Sequence, residues 1–460
     1  MKSLASVDES VVSEADVGKL VTQLGEFLEP YVRLFGRREN HGHARMYVEG
    51  RLQRLERRTV EPIATEHAVH RRPLQYFVGA GLWDDKPVQD QLCEQVGQVI
   101  GTRDGVLILD GSGFPKKGDK SVGVQRQWCG RLGKKENCQV AEFLAYATPK
   151  GHTLVDFRLY LPKSWTTDRG RRAEAHVPRH VTFQKGWQLA CEMLRERRSV
   201  LPHQWVVGDD AYGRVVALRE QLATDGERYV LEVPSNTQVQ RDADAGCWHS
   251  VESIANSLPA KWWTTVRTRD GEKGPIEVKA AKLRVVTPRG SGKNRTVGRR
   301  ETLLITQRGN ERWYYLSNAR GFSVAKMAQV AACRHYVEQS LELAKGDVGL
   351  DEYEVRSWVG WHHHMTLSLL ALFFLVRQRT MLKKTHPRSP CRKSDGRWRD
   401  SSNSRSTPPL PSRRSQLASL GNSLATSRPV AITGVANVAG RRRELPPGTP
   451  GASPDGHPSQ

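Results

Sequence analysis

Between residues 17 and 100 apolar positions recur every three or four residues. Leu20, Val21, Leu24, Phe27 and Leu28, then Tyr31, Val32, Leu34 and Phe35, and later Met46, Tyr47, Val48, Leu52 and Leu55 keep helical spacing. Pro62 and Pro73 stand where a helix can begin. The pattern predicts an all-α domain over 1–100. From Gly105 the texture changes to short aliphatic and β-branched runs, which predict strands over 106–110, 121–124, 140–146 and 153–160. The first is apolar without alternation, as in a strand buried on both faces. A helix is expected over 182–197, a second buried strand over 205–209 and a helix over 215–224. Strands return at 229–233, 276–286, 302–307 and 313–317, and a helix follows over 324–345. That order is mixed α/β. Beyond residue 379 periodicity gives way to Ser, Pro and Arg, so the chain divides into a helical domain (1–100), an α/β core (101–228 and 320–378), a β-rich insertion (229–319) and a disordered Arg/Ser/Pro-rich tail (379–460).

Charge changes this picture in one respect. Of the 460 residues, 71 are Lys or Arg and 49 Asp or Glu, a formal net charge of +22. Residues 377–460 hold 16 Lys/Arg against 4 Asp/Glu, so this C-terminal stretch carries more than half of that excess and the body is moderately basic. A basic balance speaks for a polyanionic partner, and no amphipathic basic helix argues for a lipid surface, which leaves nucleic acid. The arginines of the helical domain suit phosphate contact or simple solvation equally well. Seven dispersed cysteines without a zinc-type spacing indicate reduced thiols. The start is polar and acidic, and the apolar run 367–376 is too short to span a bilayer, so a cytoplasmic protein without membrane contact is expected.

Three acids carry the candidate chemistry. Asp110 and Asp209 each close an apolar strand, a costly place for an unpaired carboxylate and a natural one for a carboxylate facing a cleft. Asp210 rivals Asp209, and spacing alone does not separate them. In the predicted helix 324–345, Arg334, Glu338 and Lys345 fall within about 40° of one another around the axis, a row of +, − and +. Phosphodiester cleavage by two divalent metals needs acids converging from different elements, with cations to hold phosphates beside them. After Asp110 the chain crowds Lys116, Lys117, Lys120, Arg126, Arg131, Lys134 and Lys135, as expected of DNA-backbone contact.

Arg334, Glu338 and Lys345 fit the last three places of a Y-(2)-R-(3)-E-(6)-K signature. With Leu109-Asp110-Gly111, Asp209-x-x-Tyr212-Gly213 and Gly349-Leu350-Asp351-x-Tyr353, they make a chain that resembles bacterial insertion-sequence transposases of the DDE class over roughly residues 40–378. The family pattern places its acid three residues before Tyr, which selects Asp209. The signature's Tyr is absent: position 331 is Ala331. The resemblance implies an RNase H-like core interrupted by the insertion, with Asp110, Asp209 and Glu338 as catalytic and metal-binding acids. It also implies two Mg²⁺ or Mn²⁺ ions, with Arg334, Lys345, Lys116, Lys117 and Arg126 on phosphates. The implied reaction is cleavage at the element ends and transfer of the 3′-OH into target double-stranded DNA by a homodimer at the nucleoid. The alternative is a catalytically idle or domesticated DNA-binding relic, for which the low-complexity tail supplies a motive.

Other motifs are weaker. Trp262, Trp263 and Trp313 suit core packing better than base stacking. His362, His363 and His364 point about 100° apart on a helix, so they suit polarity at a helix end better than one shared metal ion. The stretch 288–294 imitates a phosphate loop but has Thr287 and Asn294 where that loop needs Gly and Ser or Thr. A phosphatase would need an acid at Ser112.

Overall fold

The computed structural model describes residues 14–241, 246–271, 274–290 and 296–385, with side chains described from 22 to 381 within those ranges. Five helices come first: α1 (Glu14–Val32), α2 (Arg38–Leu52), α3 (Val60–Glu66), α4 (Arg71–Ala80) and α5 (Asp85–Ile100). Asp84 caps α5, its carboxylate accepting from the Lys86 amide at 3.0 Å, and Gly101 ends it. The sheet then opens with β1 (Val106–Pro115), β2 (Gln125–Cys129), β3 (Lys134–Thr148) and β4 (Gly151–Leu159). Helices α6 (Lys163–Thr167), α7 (Arg169–Glu174) and α8 (Gly186–Arg197) lead to β5 (Trp205–Gly208), α9 (Asp210–Gly213), α10 (Val216–Thr224) and β6 (Tyr229–Val233). Next come β7 (Gln238–Arg241), β8 (His249–Ser250), α11 (Val251–Ser257), β9 (Thr264–Gly271), β10 (Gly274–Arg289), β11 (Thr296–Arg308) and β12 (Glu311–Ser317). The last helices are α12 (Val324–Ala332), α13 (His335–Gly346) and α14 (Trp358–Thr385).

Among the described residues all strands join one 12-stranded sheet. β1 pairs antiparallel with β3 and parallel with β5, and β5 pairs parallel with β6. The far edge of β3 takes β2 along its first residues and β4 along the rest. On the other side β12, β11 and β10 continue the sheet antiparallel from β6. The strand 229–233, expected to open an insertion, is thus a parallel neighbour of β5 in the centre, and the later strands widen the same sheet.

Four other expectations are corrected. Residues 121–124 form a turn, because Gly123 sits at φ 75° and cannot continue an extended strand. α8 begins at Gly186, four residues later than expected. The expected helix 324–345 is two: α12 packs on β9 and β10, α13 packs on β3 and β4. A tightened turn joins them, with the Cys333 amide donating to Val330 and the Arg334 amide to Ala331, three residues back each time. Finally, α14 runs through residue 379 to Thr385; residues 386–460 of the expected tail lie outside the described residues.

α14 is long and apolar enough to cross a membrane, yet its side chains are almost wholly packed inside the protein, against α2, α4, α5 and β4. It is the core helix that binds the helical domain to the sheet. Of the three histidines near its start, His363 and His364 are buried partners in that junction, and not the polar helix end expected of them, while His362 is half-buried and bonds the Trp358 carbonyl of its own first turn. His363 stacks on Trp83 at 3.7 Å and bonds the Val78 and Trp83 carbonyls, while His364 bridges the Tyr47 hydroxyl and the Leu350 carbonyl.

Candidate active site

The parallel pairing of β1 with β5 stops at Leu109 opposite Gly208. The next residues are Asp110 and Asp209, so register alone sets these two carboxylates side by side. The apolar run suggested that Asp110 closes its strand, but β1 continues against β3 to Pro115, and Asp110 lies one residue past the point where its pairing with β5 ends. Asp209 turns the chain into α9 by accepting the Ala211 amide at 3.0 Å. Asp210, its rival, faces outward in an ion pair with Arg214.

The sequence after Asp209 is explained by packing. Tyr212 donates its hydroxyl to the Glu142 carboxylate, which is buried on β3 opposite Gly111. Gly213 lies so close to β6 that a Cβ there would stand 1.8 Å from the Glu232 carbonyl oxygen. The turn that aims Asp209 is therefore pinned to β3 by a tyrosine and to β6 by the absence of a side chain.

Arg334 is the α13 N-cap residue, at the joint between the two helices. Its Nη1 lies 3.1 Å from Glu338 Oε1 and its Nε 3.3 Å from Glu232 Oε2. Lys345, two turns beyond Glu338, reaches β1 and donates to Ser112 Oγ at 2.8 Å. Alternate residues of a strand share a face, so Ser112 and Asp110 look the same way, toward α13. The arginine, the acid and the lysine keep to one side despite the helix break. Ala331, at the place of the missing tyrosine, is buried in the core; Tyr336 packs on His152 at 4.9 Å.

Electrostatics separates the acids. Burial first, and the Asp209 charge second, push the Asp110 carboxyl up to about 7 against Arg334, which favours the anion. Burial also raises Asp209, with Arg334 opposing. For Glu338 burial pushes upward, but the hydrogen bond from His335 and the Arg334 charge outweigh it and hold the carboxyl below its ordinary range. Burial lowers Lys345, and Arg131 adds to it. Among the described residues no three His, Cys, Asp or Glu side chains stand close enough to share one metal ion.

The basic segment separates as well. Lys116, expected on phosphate, lays its ammonium 3.3 Å from the centre of the Tyr353 ring, and burial lowers it to about 8. Lys117 and Arg126 are exposed, Arg126 on β2. Two acids of the site were not singled out in the sequence, Glu232 and Glu142. Each is a single carboxylate inside an apolar run, 229–233 and 140–146, the same signal that marked Asp110 but without a strand end or loop beside it.

Residues 30–275, more than half of the chain, match the DDE superfamily endonuclease family; Asp110 and Asp209 lie inside that stretch and Glu338 beyond it. A probable transposase for insertion sequence element IS701 from Microchaete diplosiphon is 33% identical over 116 residues, 25% of this chain. The match spans 30% of that relative's length. Among solved structures, a piggyBac transposase in a synaptic complex with hairpin DNA aligns over 89% of this chain and 78% of its own, with 12% identity and a TM-score of 0.38. The NurA nuclease from Sulfolobus solfataricus aligns over 54% and 80%, with 8% identity and a TM-score of 0.24.

Proposed function

Because the chain belongs to the DDE superfamily endonucleases, we propose that it is a DNA transposase, cutting at the ends of an insertion-sequence element and joining the freed 3′-OH to target DNA. The observation that carries this reading is the register that sets Asp110 beside Asp209 while Arg334, Glu338 and Lys345 face them from α13. The strand order β4-β3-β1-β5-β6, antiparallel up to β1 and parallel beyond it, supports an RNase H-like core, with the strands from β7 to β12 as the insertion between the second and third acids.

The donor chemistry suits a hard divalent cation. All three candidate ligands are carboxylates, and burial together with the Asp209 charge suppresses the ionisation of Asp110, a penalty that a bound Mg²⁺ or Mn²⁺ would relieve. Asp110, Asp209 and Glu338 would hold two such ions, with Glu338 yielding part of its pairing to Arg334. When bound, the ions supply Lewis acidity and a water or hydroxyl activated for in-line attack on phosphorus. The protein's own part is placement. Tyr212 and Gly213 fix the turn that aims Asp209, and Glu232 holds Arg334 at its Nε while leaving the guanidinium edge toward Glu338. Arg334 and Lys345 would hold phosphates flanking the scissile one as fixed cations that do not exchange protons in the reaction.

DNA is the proposed partner, and bringing two ends together calls for a homodimer. The test is a strand-transfer assay with purified protein, Mg²⁺, a labelled DNA carrying the sequences that flank the gene, and a plasmid target. Joined products whose 3′ ends are the element ends support the reading. DNA binding without cleavage or joining would refute it in favour of the idle relic.

A further inference from the structure

The β2–β3 hairpin carries a feature that the reaction above does not use. Residues paired across an antiparallel ladder share a face, so Arg126 with Asn137 and Trp128 with Lys135 form one surface. That surface is turned to solvent: Trp128 is 61% exposed, and Arg126 and Lys135 are exposed beside it. The opposite face is anchored. Cys129 is buried against Gly113, where a Cβ would come within 2.7 Å of its sulfur, and Gln127 donates to the Cys138 carbonyl at 2.9 Å. At the hairpin tip Arg131 pairs with Asp351 at 2.6 Å, and its charge depresses the ammonium of Lys345. The hairpin is a fixed platform, three residues along β1 from Asp110, and not a loose arm.

An exposed indole between two cations outside any ion pair among the described residues has the composition of a nucleotide-stacking surface. We propose that Trp128 stacks on an unpaired base of a DNA strand leaving the active site, with Arg126 and Lys135 on the phosphates either side. A duplex hides its base faces, so the surface selects single-stranded DNA next to the scissile position. Its charge favours that polyanion over a second copy of this basic chain. This inference rests on the transposase reading for its partner.

The test is fluorescence anisotropy in buffer without divalent metal, using a short duplex of arbitrary sequence, either blunt or with a single-stranded flank. Loss of one stacked base predicts that Trp128→Ala weakens binding of the flanked DNA by about 5- to 100-fold and leaves the blunt duplex unchanged. Trp128→Phe should keep most of the affinity, and Arg126→Ala should weaken the flanked DNA more than the blunt duplex. The proposal is overturned if Trp128→Ala binds both DNAs as the parent does, or loses affinity for both equally. It is overturned too if the variant lowers the molar mass measured by light scattering without DNA, which would make the face a contact between copies. Mg²⁺-dependent cleavage is measured separately on the parent, so a failure of the catalytic reading shows in cleavage and a failure of the stacking reading shows in binding.

Discussion

Replacing Asp110 with Asn should stabilise the fold at neutral pH while removing activity. The ordinary Asp value is 3.8 and the folded protein raises Asp110 to about 7. The unfolded chain therefore releases this proton first as pH rises, and the native state binds more protons between those values. Stability contributed by the protonated carboxyl is complete below about pH 4 and declines until about pH 7. Three units at 1.36 kcal/mol each give about 4 kcal/mol as a ceiling; partial solvation of the cleft reduces that to about 2 kcal/mol. Asn keeps the shape without the charge. Urea denaturation in EDTA at a series of pH values should give parent and variant nearly equal stability near pH 4, with the variant gaining toward pH 7 and the difference constant above it. Parallel stability curves across that range would refute the reasoning that burial, with the Asp209 charge beside it, raises the Asp110 carboxyl in the folded state.

The turn behind Asp209 gives two further tests. Tyr212→Phe leaves the buried Glu142 carboxyl without its hydroxyl partner and should cost about 1–3 kcal/mol by denaturation; an unchanged midpoint would remove the pin from the account. Gly213→Ala drives a methyl into the Glu232 carbonyl and should destabilise by about 2–4 kcal/mol, with a variant as stable as the parent showing that the turn can move aside. Lys345→Ala should fold normally and lower the cleavage rate by about 100-fold through loss of a fixed cation, whereas a rate within threefold of the parent, a margin of about 0.7 kcal/mol, would place Lys345 outside the chemistry.

What the sequence carried was the part written in local pattern. The unbroken apolar runs before Asp110 and Asp209 marked two buried strands, and pairing them in parallel is what brings the acids together. The charge spacing from Arg334 to Lys345 held because the turn joining α12 and α13 stays helical in sense, even though the two helices follow different patches of the sheet. What was not legible depends on neighbours distant in sequence. Lys116 reads as a DNA-backbone contact until Tyr353, more than two hundred residues later, is folded beneath it. His363 and His364 of α14 read as polar until the carbonyls of Val78, Trp83 and Leu350 surround them. Glu142 and Glu232 look like ordinary strand residues; only the sheet order makes them partners of Tyr212 and Arg334. Trp128 carries no mark in the sequence, because its exposure is set by the hairpin's anchored face, fixed by Cys129 against Gly113.

The most direct test of the central claim is Mg²⁺-dependent cleavage of a DNA end, measured side by side for the parent and for Asp110→Asn, Asp209→Asn, Asp210→Asn and Glu338→Gln. The account predicts that cleavage is lost in Asp110→Asn, Asp209→Asn and Glu338→Gln, with DNA binding retained, and that Asp210→Asn cleaves like the parent. Cleavage surviving in Glu338→Gln, or lost in Asp210→Asn and kept in Asp209→Asn, would contradict it.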